Sequence, residues 1–214
     1  DKAYAMGIYS STAYIIDLLD KSNPITLTSW SYSGMAHDAA VMENEQILLT
    51  ADETSGGHIK IWDISDYSNI NLLNEYQTNP NYSVHNVYTV GNFAVMSYYA
   101  DGTRVLDLSN PTEPIEIGYY DTSFEEGLYV GNWGTYIYLP SGIIISSDIE
   151  SGSLFILSSP INYSPPVLEV SPGDFYFNVD ADEIITDYIS VTNTGDIEST
   201  LNYSIEVVPF ENNI

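Results

Sequence analysis

With 30 acidic and only 4 basic residues among 214, the chain carries a formal charge of −26, a field that repels nucleic-acid phosphate and anionic lipid headgroups alike. Nucleic acid is therefore no expected partner, and the absence of cysteine removes both a disulfide framework and thiol chemistry. No apolar run reaches the ~20 residues that span a bilayer, so direct membrane insertion is not expected of this sequence.

The first element, "AYAMGIYSSTAYIID", reads as a strand pair already under way at residue 1, without a signal peptide, from which a missing natural start is expected. Beyond it the chain repeats itself. "HDAAVMENEQILLTADETSGGHIKIWDISDYSNINLLNEY", from His37 to Tyr76, and "HNVYTVGNFAVMSYYADGTRVLDLSNPTEP", from His85 to Pro114, share one order: a His followed by an acid or amide, an apolar run, an acidic turn containing Gly, then "IWDIS" or "VLDLS". Asp17, Asp63 and Asp107 stand 46 and 44 residues apart, and Leu157 in "GSLFILSSP" occupies the same place 50 residues further on. Periods of about 40–50 residues built from short strands signal propeller blades. Tyr, Ile, Val and Thr fill the runs while Gly, Pro, Asn, Ser and Asp punctuate them, and no amphipathic helix is visible.

The expected fold is all-β: about three to four propeller blades of three or four antiparallel strands over residues 1–158. A Pro-rich linker follows at 159–166, where Pro160, Pro165 and Pro166, with Pro172 shortly beyond, break the rhythm. Residues 167–214 alternate apolar and polar positions in "TDYISVTNTG" and "LNYSIEV", as the start of an immunoglobulin-like β-sandwich does, but 48 residues fall short of the ~100 of a complete one.

Chemistry concentrates at the repeated polar pairs. His37-Asp38 and His85-Asn86 are placed at the start of the innermost strand of successive blades, which brings like side chains around a central channel. Imidazole and carboxylate are competent metal ligands, and they are equally able to hydrogen-bond one blade to the next. Trp133 in "GNWGTY" joins the channel candidates and is read as a packed blade residue rather than a sugar platform. Asp17, Asp63 and Asp107 are read as turn residues that accept backbone N–H bonds. Asp52, Glu53, Asp180 and Asp182 are weak metal candidates, since neither "ADETSGG" nor "NVDADEIITD" provides the alternating oxygens of a ~12-residue calcium loop. Calcium remains an option, and no other cofactor is expected. Asn81, Asn162 and Asn202 open Asn-Tyr-Ser sequons that are glycosylation candidates in an exported protein. No serine sits in a Gly-x-Ser-x-Gly elbow, and the adjacent carboxylates Asp52 and Glu53, or Glu125 and Glu126, are expected to point to opposite faces of a strand rather than across a cleft, so no catalytic residue is assigned.

Together, "SYYADGTRVLDLSNPTEPIEIGYYDT", "GNWGTYIYLPSGIIISSDIESGSLFIL" and the Asp-x-Ser blade ends resemble the LVIVD-repeat β-propellers of the choice-of-anchor B group, over about residues 1–158. Leu157 departs from the blade-end Asp, as it does in the terminal blade of that family. The tail resembles the immunoglobulin-like modules that precede such anchors. The resemblance implies an exported bacterial or archaeal protein at the cell surface or outside the cell, often anchored by a variable C-terminal module, and brings no agreed biochemical activity. The expected function is a scaffold that binds a protein or glycan at the surface, or copies of itself, with the sandwich as spacer or assembly module. Two alternatives are a structural subunit of an extracellular fibre and a metal-dependent enzyme that uses the channel histidines.

Overall fold

A computed structural model describes residues 1–161, 167–173 and 188–194. Every element among them is a β-strand, and all pairings are antiparallel. None of them is a helix long and apolar enough to cross a membrane. The chain divides into two compact units, Asp1–Tyr163 and Ser164–Ile214.

The first unit holds four sheets, each a blade whose strands neighbour one another in chain order. The first blade contains β1 (Lys2–Gly7), β2 (Thr12–Asp17) and β3 (Ile25–Ser31). The second contains β4 (Ala36–Val41), β5 (Ile47–Asp52), β6 (Ile59–Asp63) and β7 (Asn71–Tyr76), and the third β8 (Val87–Val90), β9 (Phe93–Ser97), β10 (Thr103–Asp107) and β11 (Ile115–Tyr120). The fourth contains β12 (Asn132–Tyr136), β13 (Ile144–Asp148) and β14 (Leu154–Leu157). Four blades of a β-propeller are thus formed, two with four strands and two with three. Asp17, Asp63 and Asp107 end β2, β6 and β10, which makes these strands equivalent and makes β1 the counterpart of β5 rather than of β4.

The repeat extends to irregularities. In each of the three aspartate-ended strands the register slips between the second and the first residue before the aspartate, at Ile15/Ile16, Ile61/Trp62 and Val105/Leu106. Each aspartate then turns the chain by the same device. Oδ1 of Asp63 accepts the backbone N–H of Ser65 at 2.9 Å and its hydroxyl at 2.6 Å, and Oδ1 of Asp107 does the same with Ser109 at 2.8 and 2.6 Å. Asp17 receives the N–H of Leu19 at 2.8 Å. The serine hydroxyl holds the Asp63 carboxyl below the usual carboxylate range. These turns face solvent, so Asp107→Ala is expected to cost only about 0.5–1 kcal/mol, the net worth of an ordinary hydrogen bond, by urea denaturation. A cost above about 2 kcal/mol would place the turn in the load of the blade rather than at its rim.

Both faces of the inner blades are buried, which explains runs that look continuous rather than alternating. Along β5, Leu48 points to the first blade and packs with Ile15, Trp62 and Ile64, while Leu49 points to the third and packs with Val87, Met96 and Leu106. Val95 and Val105 meet Ile137 and Ile144 of the fourth blade. The Asp-Gly turn before β10 requires its glycine: Gly102 has φ +71°, and a Cβ there would lie 2.1 Å from the Tyr120 carbonyl oxygen.

In the second unit, β15 (Leu168–Ser171) pairs with β16 (Ser190–Asn193), with Val170 opposite Val191. The immunoglobulin-like reading of 167–214 otherwise concerns residues outside those described, as do Asp180, Asp182, Asn162 and Asn202. Asn81 is exposed in the loop between β7 and β8.

Candidate functional site

The innermost strands β4, β8 and β12 bring three side chains to one place. Residue 37 is skipped by the pairing of β4 with β5, where Ala36 faces Asp52 and Asp38 faces Ala51; residue 133 is skipped in the same way between Asn132 opposite Asp148 and Gly134 opposite Ser147. A bulge of this kind re-aims the extra side chain out of the pleat. His85 precedes β8 at the matching position, 48 residues from each.

The three rings form a ladder. His37 and His85 stack with centroids 4.6 Å apart, and the Trp133 ring lies 5.6 Å beyond. Each imidazole is tied to the next rung: His37 Nδ1 donates to the His85 carbonyl at 3.1 Å, and His85 Nδ1 to the Trp133 carbonyl at 2.5 Å. A carbonyl only accepts, so both Nδ1 atoms carry hydrogen and both neutral rings keep their lone pair at Nε2. The indole N–H of Trp133 donates to Nε2 of His85 at 2.7 Å.

Asp38 and Asn86 serve the same seam one residue on. Asp38 Oδ2 accepts Nδ2 of Asn86 at 3.0 Å and the backbone N–H of Val87 at 2.9 Å. Further along, the Thr89 hydroxyl donates to the Val41 carbonyl at 2.7 Å. The predicted pairs therefore converge, and hydrogen bonding between blades is their visible work.

Glu53 completes the cluster. Its Oε2 lies 3.5 Å from Nε2 of His37 and its Oε1 3.9 Å from Nε2 of His85, while the Tyr99 hydroxyl donates to Oε1 at 2.6 Å. Glu53 and Tyr99 follow β5 and β9 at matching positions, so the two repeats supply an acceptor and a donor to each other. Tyr99 has no place in the sequence reading.

One expectation needs correcting. Trp133 is not packed inside its blade: the residue is 47% exposed, because the bulge turns its side chain outward onto the histidines. Of the weak metal candidates, Asp52 points away from Glu53, as adjacent residues of a strand do, and is bonded to Lys60 in the interior. Asp52 is 1% and Lys60 5% exposed, Glu75 lies 3.4 Å from the ammonium, and the Tyr32 ring lies beneath it at 5.5 Å.

Burial holds the pKa of His85 below its ordinary 6.5, with the Trp133 carbonyl opposing that shift. A lowered imidazole pKa leaves the unfolded chain the better proton acceptor, so the contribution of His85 to stability is complete above about pH 6.5 and declines as pH falls through the folded value. Acidification below pH 6.5 should also break the Trp133 N–H to Nε2 bond and change indole fluorescence. In His85→Gln that step should vanish; its survival there would assign it to another group.

The profile of the LVIVD repeat matches residues 53–78 and 83–122, running through the second and third blades. These two stretches are similar to the LVIVD repeat. Among solved structures, the crystal structure of a protein from Lactobacillus plantarum, a structural genomics target, is similar at a TM-score of 0.57 and 12% identity. The match covers 72% of this chain and 52% of that one, so this chain spans about half the length of that structure, and at such identity the likeness concerns the fold alone. No curated protein matches.

Proposed function

We propose that this LVIVD-repeat propeller is an exported, non-catalytic binding scaffold that acts at the cell surface or outside the cell, with the segment after the linker serving as spacer or assembly module. The observation that supports it most is an apolar groove of about 550 Å³ between the third and fourth blades, lined by Val105, Tyr119, Tyr120, Ile144 and Ile156. Tyr119 is 69% and Ile156 70% exposed, and away from the groove Tyr136 and Tyr138 present two half-exposed rings on β12 and just after it. Exposed aromatic and aliphatic surface of this extent is characteristic of contact sites, where tyrosine presents a large apolar face and a hydroxyl at little conformational cost. A protein or glycan partner suits such a surface, whereas the −26 charge opposes nucleic acid and close self-association alike.

Two measurements test the reading. Protease treatment of intact native cells should remove the propeller from the cell fraction, and full protection until lysis would end the surface assignment. A Tyr119→Ser/Tyr120→Ser variant should keep its thermal midpoint within a few degrees and lose retention on the native cell surface; undiminished retention would move the contact away from this groove.

A further inference from the structure

We propose that His37, Glu53 and His85 form a binding site for a first-row transition-metal ion, zinc above all, which the ion enters by displacing the Trp133 indole. The proposal is independent of the scaffold reading and of the groove that supports it. One ligand atom from each of the three residues lies within 4.8 Å of the other two. Both imidazoles are already fixed as ligands usually are, with Nδ1–H donated to a backbone carbonyl and Nε2 left as the lone-pair nitrogen. The Tyr99 hydroxyl orients the Glu53 carboxylate in the same supporting way. Two nitrogen lone pairs and a carboxylate thus face one another in a strongly acidic protein, an arrangement that a cation relieves. Two imidazoles and one carboxylate suit zinc, whereas calcium takes six to eight oxygens.

The distances set the movement required. Ligands about 2.0–2.1 Å from a tetrahedral ion stand ~3.3 Å apart, so separations of up to 4.8 Å must close by as much as roughly 1.5 Å. The rings are also inclined by only 28° to each other, and lone pairs lie in the ring planes, so at least one imidazole must turn to share an ion. Whichever ring turns, an ion on Nε2 of His85 takes the lone pair that accepts the indole N–H, and Trp133 is exposed enough to swing aside. The Trp133 N–H and the metal compete for one lone pair, which gives the site a signature that scattered surface carboxylates lack.

The experiment is calorimetric titration of the full chain with zinc chloride, in excess calcium to occupy surface carboxylates, with circular dichroism confirming the fold of every variant. The wild type should bind one equivalent and show a change in indole fluorescence. His37→Gln/His85→Gln should lose that equivalent, His58→Gln should keep it, and Trp133→Phe, which removes the competing donor, should bind several-fold more tightly. The proposal is overturned if no stoichiometric binding is seen, if the equivalent survives in the double histidine variant, or if Trp133→Phe binds no more tightly than the wild type.

Discussion

Replacing Lys60 by methionine should destabilise the propeller by about 3–5 kcal/mol, the usual cost of leaving a buried partner charge uncompensated. Lys60 and Asp52 are both nearly inaccessible, and the lysine reaches Asp52 through the interior of the second blade while Glu75 approaches from its rim. Methionine fills much of the same volume, so the loss measures charge rather than cavity. Burial already pushes the Asp52 carboxyl up from its ordinary 3.8, with Lys60 and Tyr32 pulling it down. Without Lys60 the strongest downward pull is gone. A carboxyl whose folded pKa is raised binds its proton more readily in the folded chain, so stability is lost as pH rises from the unfolded value through the folded one. The deficit of Lys60→Met should therefore be smaller near about pH 4 than near about pH 7, read from urea midpoints at both. A double variant, Asp52→Leu with Lys60→Met, should lie closer to the wild type than either single change, because it removes both charges together. Equal deficits at the two pH values would show that Asp52 finds solvent or another partner once Lys60 is gone.

This ion pair was the part of the molecule least visible in the sequence. Lys60 stands inside "HIKIWDIS", where a cation amid an apolar run invites a search for a partner, yet nothing local names Asp52 across the strand pair. The aspartate turns were legible for the opposite reason: an Asx turn is closed within two residues, so its chemistry is written where it acts. His37 and His85 were legible because a constant offset of 48 carries one position from blade to blade. Glu53 and Tyr99 escaped that test, since the β8–β9 hairpin is two residues shorter than the β4–β5 hairpin and their offset falls to 46. The role also changes from carboxylate to phenol, so even an aligned pair shows no identity. The bulge that exposes Trp133 depends on pairing between β12 and β13, which periodicity alone does not reveal.

The seam between the second and third blades provides the other large effect. Asp38→Ala removes the acceptor of two hydrogen bonds, from Asn86 and from the backbone N–H of Val87, a residue only 1% exposed. Hydrogen bonds to a charged group are worth about 1.5–3 kcal/mol, and the Val87 amide is left in an apolar interior with no acceptor, so a loss of about 2–3 kcal/mol is expected. Asp38→Asn keeps an oxygen at the same reach and should lose roughly 1 kcal/mol. Hydrogen exchange decides where the loss falls: if the seam opens locally, the Val87 amide loses protection while amides in β5 and β6 keep theirs. Loss of protection across both blades together would mean that the seam and the strands open as one unit. A stability change within about 0.5 kcal/mol would give the join to the packing of Leu49 against Val87 and Met96, with the polar ladder contributing orientation rather than energy. The distinction bears directly on the histidines, because Asp38 fixes the strand that carries His37. If Asp38→Ala loosens the seam, the stacking of His37 on His85 should weaken with it, and the loss of burial should move the His85 titration back toward that of a free imidazole, outweighing the smaller downward push from removing the Asp38 charge.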